Sequence, residues 1–99
     1  MLRIFAVIAG IACLMGCRGA PVQEMSDARQ AIEAARVAGA SERAPGDLEE
    51  AQAAIARAES HIQAQEFGRA RREALDAKRY ASAALANAEH PQSTALPKP

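Results

Sequence analysis

Two apolar stripes between residues 48 and 88 cannot lie on one straight helix. The first runs Leu48, Ala51, Ile55, Ala58 and Ile62, at the alternating 3 and 4 spacing of a single helical face. Carried forward, that face would need apolar residues at 65, 69, 72 and 76. The chain has Gln65, Arg69, Arg72 and Asp76 there. A second stripe begins out of phase at Phe67 and continues through Ala70, Ala74, Ala77, Ala81, Ala84 and Ala88. A straight helix would carry charge into its own core, which is costly without partners. The slip therefore predicts a tight turn over 64–66 and two antiparallel helices. One long kinked helix is the alternative, because neither Gly nor Pro stands in the turn.

Folding the two stripes together fixes their register. Facing residues have numbers that add to 132: Ile62 with Ala70, Ala58 with Ala74, Ile55 with Ala77, Ala51 with Ala81, Leu48 with Ala84. Side chains of one helix thus meet alanines of the other, so the backbones can approach closely. Composition matters here, since 26 of the 99 residues are Ala and only 3% are aromatic. Alanine is the best helix former but contributes little burial energy. The register also brings Glu59 toward Arg72, and Arg69–Glu73 and Arg72–Asp76 stand at i,i+4.

A third stripe, Met25, Ala28, Ile32 and Ala35, lies upstream. Pro21 suits the first position of that helix and Gly39 its end. Pro45 suits the start of the next, with an Asp47 N-cap and Glu50 as the other possible start. The chain is expected to be all-α, an Ala-rich antiparallel helical hairpin or small three-helix bundle over 22–89. Its helices should span about 22–38, 45–64 and 67–89. The segment 90–99 holds three prolines and is expected to be an extended, disordered tail.

The first residues read as an address. Arg3 precedes an uncharged apolar run from Ile4 to Met15, too short for a helix spanning a bilayer, which needs about 20 residues. Residues 1–16 are therefore expected to be a signal peptide. The run ends Leu14-Met15-Gly16-Cys17, which resembles the lipobox of bacterial lipoproteins. The resemblance implies S-diacylglyceryl and N-acyl groups (palmitate among the acyl chains) on Cys17, and 17–21 as lipidated Cys and linker. Cys13 would leave with the signal, so no disulfide is expected in the mature chain. By resemblance to sorted lipoproteins, in which an Asp after the Cys favours inner-membrane retention, Arg18 implies an outer-membrane protein facing the periplasm.

Charge narrows the function. Lys and Arg number 12 and Asp and Glu 12, so the precursor is neutral; without Arg3 the mature chain is 11 minus 12, or −1. Nucleic-acid capture needs a basic excess and is excluded. Residues 45–64 carry −3 and residues 67–89 carry +2. Arg69, Arg71, Arg72, Lys78 and Arg79 form the candidate interaction face, against the plainer reading of a solvated helix surface. His61 and His90 have no second ligand at metal spacing, and no phosphate loop or Ser-His-Asp set occurs. No catalytic residue, metal, cofactor or small-molecule substrate is expected, and the chain is not expected to be an enzyme.

From about Met25 to Glu89 the sequence resembles the bacterial domain of unknown function 4398 family. The matching pieces are Ala28-Arg29-Gln30-Ala31-Ile32-Glu33-Ala34-Ala35, Gly39-Ala40, Ala44-Pro45, Leu48-Glu49-Glu50-Ala51, and the alanine spacing after Phe67. Where such domains carry Gly-Asp-Tyr-like residues at the turn, this chain has Gln65-Glu66-Phe67. Phe67-Gly68-Arg69-Ala70 with Ala74 and Ala77 also looks like half a tetratricopeptide repeat, although about three repeats are needed to stack into a groove. The expected function is that of a membrane-anchored envelope lipoprotein whose domain is a structural or protein-interaction module. The alternatives are a repeat-like module binding a peptide or lipid, and a cell-wall tether. A tether of the murein class ends in Lys, whereas here Pro99 follows Lys98.

Overall fold

Each stripe lies on its own helix. In the computed structural model, which describes residues 19–90, α1 spans Val22–Val37, α2 Ala40–Arg43, α3 Pro45–Gln63 and α4 Phe67–Glu89. The expected signal segment, the Cys17 expected to carry lipid and the tail beyond His90 lie outside the described residues.

Local chemistry sets the ends. Pro21 precedes α1 as its N-cap residue, not its first helical residue, because its ψ of 64° is not helical. Its carbonyl accepts the Met25 N–H at 3.0 Å. Gly39 stops α1 at a φ of 89°, a conformation that costs a residue with a Cβ about 1 kcal/mol or more. Pro45 starts α3 at a position where its missing N–H has no partner to lose.

The turn between α3 and α4 is real, so the kinked-helix alternative fails. Gln65 takes the left-handed conformation, with φ 59°. The Gln65 N–H donates to the Ile62 carbonyl at 2.9 Å, and the Glu66 N–H to the His61 carbonyl at 2.8 Å. Those two bonds make a Schellman ending, which satisfies carbonyls that the helix leaves orphaned. Glycine is the usual residue there, and Gln65 holds the place against its own preference.

The three long helices share one set of layers. Met25, Ala58 and Ala74 form one cluster, and Ala28, Ala54 and Ala77 the next. Ile32, Ala35, Ala40, Ala44, Leu48, Ala51, Ala81, Ala84 and Ala88 close the core. Along this series α1 and α4 numbers rise together, Met25 with Ala74 and Ala28 with Ala77, each differing by 49. The α3 numbers fall, from Ala58 to Ala54. So α1 and α4 are parallel, and α3 runs antiparallel to both. Ala58 with Ala74, Ala51 with Ala81 and Leu48 with Ala84 share clusters as the sum of 132 requires.

Two details of the apolar packing differ from expectation. Ala54 is fully buried, while Ile55 is half-buried and packs against all three clusters. The reason is that α3 faces two helices, so its buried stripe is wider than a hairpin alone would need. The loop after Gly39 also winds into the single turn α2, which buries Ala40 and Ala44.

Ion pairs cross each seam: Arg29–Glu59 between α1 and α3 at 3.0 Å, Arg57–Glu73 between α3 and α4 at 2.9 Å, and both Arg71–Glu24 at 3.5 Å and Lys78–Asp27 at 4.0 Å between α1 and α4. Glu59 thus meets Arg29, not Arg72, because the third helix reaches it. Arg69 and Asp76 choose i,i+3 partners, Glu66 and Arg79, over the expected i,i+4 ones. Exposed pairs of this kind contribute under about 1 kcal/mol each. At the far end Asn87 Nδ2 donates to Asp47 Oδ2 at 2.7 Å, and Arg43 Nη1 to the Ala88 carbonyl at 3.1 Å.

Two substitutions check this account by urea unfolding. Ala77→Leu should destabilise by about 1–3 kcal/mol through overpacking, while Ala86→Leu, on the exposed side of the same helix, should change stability by less than about 0.5 kcal/mol. Gln65→Gly should stabilise by roughly 1 kcal/mol by relieving the left-handed turn.

Candidate interaction surfaces

The five basic residues of the expected face do not share one surface. Arg71 and Lys78 turn toward α1, where Arg71 Nε lies 3.5 Å from Glu24 Oε1 and Lys78 Nζ 4.0 Å from Asp27 Oδ2. Arg71 Nη2 also donates to the Gly19 carbonyl at 3.2 Å. It therefore ties the segment before α1 to α4. Residues four and seven apart on one helix lie on the same flank, which is why 71 and 78 go together.

Arg69, Arg72 and Arg79 occupy the other flank. Arg69 Nη1 is 3.5 Å from Glu66 Oε2. Arg79 Nη2 is 2.9 Å from Asp76 Oδ1, and its guanidinium sits 5.8 Å from the centre of the Tyr80 ring. Arg72 is exposed and, among the described residues, makes no ion pair. It lines a shallow hollow of about 340 Å³ with His61, Arg69, Glu73 and Asp76.

His61 is half-buried at the α3 end of that hollow, its Nδ1 3.0 Å from Glu66 Oε1. The hydrogen bond from His61 holds the Glu66 carboxyl below its ordinary range; desolvation opposes it, and the charge of Arg69 adds to it. His90 stands at the end of α4. Among the described residues, no three His, Cys, Asp or Glu side chains group to hold a metal ion.

A different surface is apolar. Ala34, Val37, Ala38 and Leu85 floor an open groove of about 530 Å³ between α1 and α4, with Gln30, Glu33 and Glu89 at its rim. Val37 is 80% exposed there. The sequence stripes pass over this groove because Val37 and Leu85 fall outside the buried faces. The signal that would have found it is the pairing of α1 with α4, which no hairpin pattern contains. None of the described helices is long and apolar enough to cross a membrane.

Compared with known families, residues 23–95 match the model described as a domain of unknown function (DUF4398), and the chain belongs to that family. Among the curated proteins and the solved structures, none matches.

The Glu66 contact gives a titration test. A depressed carboxyl stabilises the fold above its unfolded pKa and loses that contribution as pH falls through the folded value. His61→Ala should raise the Glu66 pKa toward that of an ordinary glutamate, read from the pH dependence of its side-chain carboxyl carbon resonance. An unchanged pKa would assign the depression elsewhere.

Proposed function

We propose that this member of the DUF4398 family is a lipid-anchored envelope protein, attached through acyl chains on Cys17, whose helical domain is a non-catalytic protein-interaction module. The observation that carries the anchor is the sequence Leu14-Met15-Gly16-Cys17 at the end of an uncharged run. Two or more acyl chains hold a protein stably to a bilayer, where a single chain does so only marginally. Arg18 after the Cys favours the outer membrane, with the domain in the periplasm.

The apolar groove between α1 and α4 supports the interaction role. Its floor of Ala34, Val37, Ala38 and Leu85 suits the apolar side of a helical segment, and Glu33 and Glu89 at the rim suit basic residues flanking that side. The partner fitting that chemistry is an amphipathic, basic peptide segment.

Cys17→Ala tests the anchor. Wild-type protein should fractionate with membranes and carry the mass of a diacylglyceryl group and an acyl chain, while the variant should lose both. A wild-type chain without added mass would end the lipoprotein reading.

A further inference from the structure

The clamp on Gly19 says how the domain would sit on its membrane. Pro21 is fully buried, the Val22 N–H donates to the Ala20 carbonyl at 2.8 Å, and Arg71 donates to the Gly19 carbonyl at 3.2 Å. The segment before α1 is therefore fixed to the bundle as far back as Gly19. Cys17 stands two residues earlier, and two residues of extended chain span at most about 7 Å.

The end of the bundle so held is the α3–α4 turn, because α1 and α4 start together there. It presents Val22, 74% exposed, and half-buried Phe67 beside the arginines Arg69 and Arg72. The acids around it are already engaged: Glu24 with Arg71, Asp27 with Lys78, Glu59 with Arg29, Glu66 with Arg69 and His61, Glu73 with Arg57, Asp76 with Arg79. Arg72 is left with its charge facing solvent. An anionic leaflet attracts such a cation, and interfacial apolar side chains add to it.

We propose that the α3–α4 turn end is a lipid-contact surface, held on the phospholipid headgroups of the anchoring bilayer by the Arg71–Gly19 clamp, with Arg72 meeting lipid phosphate. This rests on the Cys17 anchor. The α2 end and the apolar groove beside Val37 then point away from the bilayer. The 23 residues of α4 place them about 34 Å further out. The clamp makes the domain an oriented post and not a freely swinging one, with its groove offered at a set height.

The test uses the full lipidated chain in vesicles of phosphatidylethanolamine and phosphatidylglycerol containing a nickel-chelating lipid. A spin label is placed at Gln63→Cys or at Ser41→Cys, both exposed positions. Relaxation by the nickel headgroups should be several-fold stronger at 63 than at 41. Arg71→Ala should shrink that ratio while helical content is kept, and Arg72→Glu should shrink it in these vesicles but not in vesicles of phosphatidylcholine. Equal relaxation at both positions, or a stronger effect at 41, overturns the orientation while leaving the anchor intact. A chain that does not float with the vesicles at all overturns the anchor, and the orientation with it.

Discussion

Helix α4 packs against both other long helices, and all six residues it buries are alanines: Ala70, Ala74, Ala77, Ala81, Ala84 and Ala88. A methyl group is the smallest side chain that can fill a seam, so both neighbours come close to the α4 backbone. Each alanine removes little area from water, about 0.8 kcal/mol per methyl-sized group. What compensates is close contact along the whole length, where many weak dispersion terms add, together with high helix propensity in all three long elements. The larger core residues must then come from the partners, as Met25 and Ile32 do from α1 and Leu48 and Ile55 from α3. The leucines of α4 stay out of its fully buried stripe: Leu75 is 51% exposed, and Leu85 is half-buried beside the core.

An alanine seam is smooth, and a smooth seam resists sliding poorly. Polar contacts mark the register instead. Interhelical ion pairs stand on each of the three seams, and Asn87 with Asp47 and Arg43 with the Ala88 carbonyl tie the opposite end. Their individual energies are small at exposed positions, but a one-layer slip would break several at once. Of the five basic residues of α4, Arg71 and Lys78 take part in these interhelical contacts. The Arg71 that fixes the α1–α4 seam through Glu24 is also the one that holds Gly19. One α1–α4 tie and the proposed placement on a membrane therefore share one side chain.

Much of the fold was legible because phase is a local property. The failure at Gln65, Arg69, Arg72 and Asp76 required the chain to turn, and the sum of 132 set α3 against α4. The partner of α1 was not legible. Met25, Ala28, Ile32 and Ala35 announce a buried face without saying which helix covers it, so Ala54 and the Arg29–Glu59 pair went unseen. The turn itself gave a weak signal, since Gln65 stands where glycine is usual. Of the basic residues, type and helix were legible, but the split of Arg71 and Lys78 from Arg69, Arg72 and Arg79 depends on α1. The apolar groove was illegible for the same reason.

Everything else in the structure depends on the layered register of three helices across alanine seams. Nuclear Overhauser contacts among isotopically labelled alanine methyls test it most directly. Mutual contacts are expected among Ala28, Ala54 and Ala77, and between Ala58 and Ala74. Contacts of Ala77 with Ala54 but never with Ala28 would remove α1 from the bundle. Absence of the Ala58–Ala74 contact would remove the hairpin register itself.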